Sequence, residues 1–359
     1  MQTFHLSHID LDGYGCQFVA REFFEHITFF NANYGKEVLA RINMIFAQID
    51  ESLKLEMKFR SKNPQSFLIL ITDLNLTTNE AKYIVSKIND YKISGHNIEL
   101  LLLDHHISGE ECSKIYEWYH LDSAHCATKI TFETLKKQYP NAESKTRWLE
   151  PIVEMINSVD IWKEDGFGFE FGKVALGMIA SSNELNRFMF DKEHRDYKFY
   201  LLSQIKHYLH KPKGEVLFDN AIFRLKKLAL KGDPDNETMD FITSRIQAKL
   251  LSQIKDKCFI SYRDKKGFLS YSMGGISVLA NLFLQQNQDI DFYMDINNRG
   301  NISLRANGKC DVCALSKEVF NGGGHKNASG GKMEGFKESF LYEDIKSQVQ
   351  AFINAKIKQ

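Results

Sequence analysis

Neither sign of charge is in excess: Lys plus Arg and Asp plus Glu each number 46 in 359 residues. Such a balance gives no global positive field to hold a long polyanion, so a nucleic-acid substrate has to be short and long duplexes are excluded. No apolar run approaches the roughly 20 residues that span a bilayer. The start, Met1-Gln2-Thr3-Phe4-His5, lacks the basic and apolar segments of a signal peptide, so the expected setting is cytoplasmic, with no membrane partner. Cysteines are few and scattered, at positions 16, 112, 126, 258, 310 and 313, which excludes a disulfide scaffold. The one close pair, Cys310-Asp311-Val312-Cys313, has no second Cys or His pair to complete a zinc site and reads as small residues opening a helix. A Gly-x4-Gly-Lys-Ser/Thr loop is also missing, so the chemistry needs no nucleoside triphosphate.

What the chain does have is a series of apolar strands that end in acids and imidazoles. Residues 3–10 read as a buried strand whose alternation puts His8, Asp10 and Asp12 on one side and Ser7, Ile9 and Leu11 on the other. Gly13 and Gly15 read as a tight turn before a helix over about 16–30, carrying Phe18, Val19, Phe23 and Ile27. Residues 37–59 fit either a helix or a short strand with a helix. Phe67–Thr72 is a continuous apolar strand ending in Asp73, followed by a capping box, Thr77 with Glu80, and a helix. Asn97–Leu103 repeats the pattern and ends in Asp104-His105-His106. In an open parallel sheet, sites form at the carboxyl ends of strands, which gathers these endings on one rim. Helices over about 124–138 and 148–161 follow, the second ending at Asp160.

The remainder changes character twice. Residues 186–255 are polar, Lys-rich and helical in pattern, a connector whose basic residues read first as a solvated face. From Cys258 onward, strands at 258–263, 268–271, 291–296 and 301–305 alternate with helices at 276–285 and 312–320, a second and smaller α/β domain. It closes on Gly322-Gly323-Gly324-His325, where glycines let backbone amides approach a phosphate and His325 supplies a hydrogen bond or charge. Arg305 is a natural bidentate phosphate partner in the same domain. Trp118, Trp162, Tyr271 and Tyr293 fit base stacking, with core packing the commoner role.

Each ligand candidate has a plain reading alone: Asp12 as a helix cap, Asp73 as an Asx-turn, His8 as a satisfied buried histidine. Together, four carboxylates and several imidazoles on one rim repel and desolvate one another unless divalent cations neutralise them. Oxygen and imidazole donors without thiolate favour manganese, with magnesium or cobalt as alternatives. Two such ions sharing a carboxylate are the arrangement of phosphoester hydrolysis.

His8-Ile9-Asp10-Leu11-Asp12, Thr72-Asp73, Asp104-His105-His106 and Asp160 resemble the four motifs of the DHH phosphoesterase superfamily. Ser303-Leu304-Arg305 and the run from Gly322 to Gly330 resemble its DHH-associated C-terminal domain, in the oligoribonuclease (nanoRNase) branch. The resemblance implies a catalytic domain over 1–185, the helical connector over 186–255, a substrate-binding domain over 256–359, and an active site in the cleft between the two. It implies two divalent ions, one held by His8, Asp10 and Asp73 and the other by Asp12, Asp73, His105 and Asp160. His106 would meet the scissile phosphate or leaving group, Asp104 would orient the histidines, and Arg305, Gly322, Gly323, Gly324 and His325 would grip a terminal phosphate. The implied activity is hydrolysis of short RNA or dinucleotides to mononucleotides. Its rivals are a 3′-phosphoadenosine 5′-phosphate phosphatase, a cyclic (di)nucleotide phosphodiesterase, a short single-stranded DNA exonuclease, an inorganic pyro- or polyphosphatase, and a non-catalytic nucleotide-binding protein. The connector is also suited to a homodimer contact.

Overall fold

The computed structural model of the chain describes residues 1–59 and 65–357; residues 60–64 and 358–359, which fall within the first and last expected domains, lie outside the described residues. The chain divides into two compact units, Met1–Ser182 with Lys198–Ile222, and Asn183–Tyr197 with Phe223–Gln359. Among the described residues no helix is long and apolar enough to cross a membrane.

The first unit alternates strand and helix: β1 (Gln2–Ser7), α1 (Leu11–Ala20), β2 (Ile27–Asn31), α2 (Lys36–Phe59), β3 (Ser66–Thr72), α3 (Thr78–Ile93), β4 (Asn97–Asp104), α4 (Glu110–Ile115) and β5 (Tyr119–Leu121). Helices α5 (Ala127–Gln138), α6 (Glu143–Thr146), α7 (Glu150–Asp160) and α8 (Phe169–Ser181) follow. The five strands are all parallel, in the order β2-β1-β3-β4-β5. Alternation along β3 explains why both faces are covered. Phe67, Ile69 and Ile71 join the core of α2 and α3, while Leu68 and Leu70 face Ala20, Ile130 and Leu135. The chain leaves β1 toward β2 but leaves β3 toward β4, so the carboxyl ends of β1 and β3 flank a topological switch point, where open α/β sheets form their sites.

Two expectations for the N-terminus are corrected. β1 stops at Ser7, so strand alternation does not place His8, Asp10 and Asp12. The helix starts at Leu11 instead of near 16, with Asp10 as its N-cap, and ends at Ala20; Ile27–Asn31, expected within that helix, is an edge strand parallel to β1. The glycines are the physical reason. Gly13 and Gly15 lie inside the helix, where a Cβ would stand 2.4 Å from the His8 carbonyl oxygen and 2.3 Å from Thr128 Oγ1. They permit close packing and do not make a turn. Residues 37–59, left open above, are helical throughout.

The second unit holds a six-stranded mixed sheet, β10-β11-β9-β8-β7-β6. In chain order α8 is followed by α9 (Asp191–Gln204), α10 (Gly214–Ala229) and α11 (Met239–Ile254), the first two shared between the units. Then come β6 (Phe259–Tyr262), β7 (Lys265–Tyr271), α12 (Ile276–Gln286), β8 (Phe292–Ile296), β9 (Asn301–Ala306), α13 (Val312–Phe320), β10 (Gly323–His325), β11 (Ala328–Lys332) and α14 (Tyr342–Ile357). Only β7 and β8 pair parallel; the other neighbours are antiparallel. Leu269, Met294, Leu304, Leu315, Val319 and Ile345 anchor its core.

Candidate metal centre

Four short segments converge at the carboxyl ends of β1, β3 and β4 and the end of α7. The turn after β1 is held by two buried polar side chains: Asn31 Nδ2 donates to the His8 carbonyl (3.0 Å) and Ser7 Oγ to the Gly13 carbonyl (2.9 Å). Asp10 caps α1, accepting from the Gly13 amide at 3.0 Å. Asp12, 1% exposed, accepts the Ala127 and Thr128 amides at 2.7 and 2.8 Å. Its carboxylate thus caps α5, where the helix dipole favours an anion. Asp73 follows β3 in the left-handed backbone region, φ 55°, with its amide donated to the Leu103 carbonyl. A non-glycine residue there stores strain that the surrounding sheet must outweigh.

Around these carboxylates stand three imidazoles. His8 turns Nδ1 toward Asp10 Oδ2 (3.0 Å) and Asp73 Oδ2 (3.7 Å), while its Nε2 lies 3.4 Å from Asn33 Oδ1. His105 Nε2 sits 3.5 Å from Asp73 Oδ1, 3.6 Å from Asp160 Oδ2 and 3.8 Å from Asp12 Oδ2, and makes no hydrogen bond to any of them. His106 is differently held: Nδ1 is 2.7 Å from Asp104 Oδ1 and Nε2 is 2.9 Å from the Tyr34 hydroxyl. Tyr119 donates to the other oxygen of the fully buried Asp104 at 2.7 Å.

The donor set fits divalent cations. His8, Asp10 and Asp73 form one group able to hold an ion, Asp73, His105 and His106 a second, and Asp12, Cys126 and Asp160 a third. Among the described residues, Asp73 Oδ2 and Asp160 Oδ2 are buried without a hydrogen-bond partner, and His8 Nδ1, also buried, meets Asp10 Oδ2 at 3.0 Å without hydrogen-bond geometry. Buried polar atoms are ordinarily satisfied, so carboxylate oxygens left open beside imidazoles fit divalent cations. Donors on one octahedral ion with bonds of about 2.1 Å stand about 3 Å apart, near the separations here. The electrostatics agree. Burial and the Asp12 charge push the Asp73 carboxyl well above its usual range, and the same causes push Asp160 up to about 8. Burial opposes a charged His8, but the carboxylates of Asp10 and Asp73 outweigh it and push His8 up to about 10. Desolvation opposes ionisation of Asp10 as well, although its side chain is 44% exposed, and its contacts with His8 hold it down to about 2. The hydrogen bond to Asp104 raises His106.

The five substrate-contact candidates lie in the second unit. Arg305 on β9 donates to its neighbour's carbonyl (Leu304, 2.9 Å) and to Ser277 Oγ (2.9 Å) in the first turn of α12. A guanidinium set against the positive end of a helix is electrostatically suited to an anion. Across the sheet, Arg305 registers with Ala328 and Ala328 with His325, so the two side chains stand on one row of neighbouring strands. The three glycines differ in cause. A Cβ on Gly322 would meet the Gly330 carbonyl oxygen at 2.0 Å, Gly324 needs φ 144°, and Gly323 borders open space. Tyr271 and Tyr293 are core residues, 1% and 0% exposed; Trp118 stacks on Tyr116 and Tyr119, and Trp162 is exposed. Cys313 donates to the Gly324 carbonyl, and neither it nor Cys310 joins an ion-holding cluster among the described residues.

No family model matches the chain. A 3′,5′-cyclic-nucleotide phosphodiesterase of Helicobacter pylori is 58% identical over 355 residues, covering 99% of both proteins. The chain belongs to the family of that phosphodiesterase. The crystal structure of an uncharacterized protein from Helicobacter pylori G27, also 58% identical, superposes with a TM-score of 0.89 over 99% of each chain. RecJ of Thermus thermophilus in complex with Mn2+, 13% identical over 99% of this chain and 52% of its own, gives a TM-score of 0.29, too low to carry an argument. The DHH resemblance of the motifs stands beside this family membership; nothing in these relatives selects the oligoribonuclease branch.

Sequence reasoning missed several residues that the structure brings to this cluster. Tyr34 and Asn33 follow an edge strand that was not expected, and no local pattern marks them. Tyr119 and Cys126 reach the site only through the sheet and the start of α5. Asp122 pairs with His125 at 2.8 Å and joins no ion-holding cluster among the described residues.

Proposed function

We propose that this chain is a divalent-metal phosphodiesterase acting on small nucleotides, with 3′,5′-cyclic nucleotides as its first substrate class. The observation that carries the metal reading is the pair of buried carboxylate oxygens, on Asp73 and Asp160, left without hydrogen bonds beside the imidazoles of His8 and His105. The 58% identical relative named for 3′,5′-cyclic nucleotides supports the substrate class. In the proposed assignment His8, Asp10 and Asp73 hold one ion, Asp12, Asp73, His105 and Asp160 the other, and manganese suits the donors best. Two divalent ions supply Lewis acidity and charge neutralisation at the scissile phosphate. The chain's own groups do the rest. Asp104 fixes the ring of His106, and His106 delivers a proton to the departing ribose oxygen as water adds to phosphorus and one P–O bond breaks. Arg305 and His325, with the Gly322–Gly324 amides, bind a further phosphate or the product phosphomonoester.

That last grouping favours a second reading, short RNA and linear dinucleotides, because a cyclic mononucleotide has no terminal phosphate to grip. We place the reaction in the cytoplasm. The test is product analysis with Mn2+ on 3′,5′-cyclic AMP, linear dinucleotides, five- and twenty-residue RNA, and pyrophosphate. Turnover of the cyclic nucleotide to a mononucleotide supports the first reading, and preference for dinucleotide and pentamer the second. Preference for pyrophosphate, or no metal-dependent turnover of any of them, contradicts both.

A further inference from the structure

The loop between β2 and α2 touches two of the three imidazoles. It is firmly built. Glu37, 2% exposed, accepts the Asn33 amide (2.9 Å) and pairs with buried Arg41 (3.0 Å); Asn33 Oδ1 accepts the Tyr34 amide (2.9 Å), and Gly35 turns the chain at φ 82°. From this base Asn33 reaches His8 Nε2 and Tyr34 reaches His106 Nε2, while the Tyr34 ring packs on His8 with centroids 4.3 Å apart.

We infer that Tyr34 is a positioning residue for His106. Its hydroxyl ends a chain of four groups, Tyr34–His106–Asp104–Tyr119, closed by contacts of 2.9, 2.7 and 2.7 Å. The directions follow from donor chemistry. Tyr119 donates to one oxygen of Asp104 and the Asp104 carboxylate accepts Nδ1–H on the other; the protonated His106 that would deliver a proton donates Nε2–H to the Tyr34 hydroxyl oxygen, and the neutral form accepts from that hydroxyl instead. One ring nitrogen alone would leave the imidazole free to swing about a single hydrogen bond; two opposed partners fix its plane. The inner end is built as tightly as the outer. A Cβ on Gly109 would stand 1.8 Å from the Tyr119 hydroxyl, so only glycine leaves room for the Tyr119–Asp104 bond. The role in turnover rests on the proposed phosphodiesterase reading; the hydrogen-bond chain does not.

The experiment is Tyr34→Phe, which keeps the ring on His8 and removes only the hydroxyl. Steady-state hydrolysis, with Mn2+, of whichever of 3′,5′-cyclic AMP and a linear dinucleotide the wild type turns over, both of which expel a ribose oxygen that needs a proton, should show kcat about tenfold lower or more, the scale of a misplaced proton donor, with KM within about twofold of wild type. Long-range 1H–15N spectra of the metal-free protein should show the His106 Nε2 resonance, assigned through His106→Gln, shifted in Tyr34→Phe. Unchanged kcat, or a raised KM at unchanged kcat, overturns positioning, and an unmoved Nε2 resonance overturns the hydrogen bond itself. A wild type inert toward every phosphodiester overturns the proposed function and the role in turnover together, and is told apart from failure of the bond by the spectra.

Discussion

Two aspartates at strand ends, one in each unit, are equally out of reach of water and differ in what meets them. Asp295, 5% exposed on β8, accepts from the Ser270 hydroxyl at 2.5 Å and the Met273 amide at 3.1 Å. Asp73, 2% exposed after β3, has one oxygen with no partner and three further carboxylates, Asp10, Asp12 and Asp160, around it. Neutral hydrogen-bond donors complete the first carboxyl; among the described residues the second faces imidazoles at 3.5 to 4.0 Å and further carboxylates. Burial pushes both upward, Asp295 to about 7 and Asp73 well above its range. The lesson is that burial alone does not mark a functional acid. A buried acid with its donors supplied is part of the scaffold, and a buried acid left open is a place for a cation.

Exchange at the two positions should separate them most sharply in turnover. Asp73→Ala is expected to lower phosphodiester hydrolysis about a thousandfold or more, several kcal/mol of lost transition-state stabilisation. In the metal-free state the same variant should unfold at an equal or higher urea concentration than wild type, because a like-charge repulsion is relieved. Mn2+ at about a hundred times its dissociation constant should stabilise the wild type by about 2.7 kcal/mol, and Asp73→Ala by far less, as read by thermal unfolding. Asp295→Ala should behave in the opposite sense. It leaves the Ser270 hydroxyl and Met273 amide unpartnered, costing about 1–3 kcal/mol in denaturant unfolding, and keeps the stabilisation by Mn2+.

Smaller effects sharpen the contrast. Gly109→Ala drives a Cβ into the Tyr119 hydroxyl and should cost about tenfold in kcat through Asp104 and His106, the low end for a group supporting a reactive side chain. The smallest expected effect is in pH dependence. The Asp295 carboxyl holds its proton more tightly folded, at about 7, than its ordinary value of 3.8. Its contribution is therefore complete below about pH 4 and is lost as pH rises through about 7, and Asp295→Asn should flatten urea midpoints across that window.

The three strand endings were legible because an apolar run followed by Asp or His is a local pattern, and the sheet rule gathers such endings without any knowledge of contacts. The fold class followed from the same alternation of strand and helix. His8 to Asp12 was misread because two glycines normally punctuate a chain, whereas Gly13 and Gly15 serve here as gaps for the His8 backbone and Thr128 inside a helix. Tertiary packing overrode the local signal. Asp12 capping α5 joins residues 115 and 116 positions apart, and Tyr34 bonds His106 across 72 positions. No pattern in a single sequence records such pairings.

The most direct measurement is calorimetric titration of the metal-free chain with Mn2+, beside Asp73→Ala and Asp295→Ala. Two ions per wild-type chain, both weakened in Asp73→Ala and both retained in Asp295→Ala, are the expected result. Binding unchanged by Asp73→Ala, or no Mn2+ binding by the wild type, would contradict a metal centre organised around Asp73.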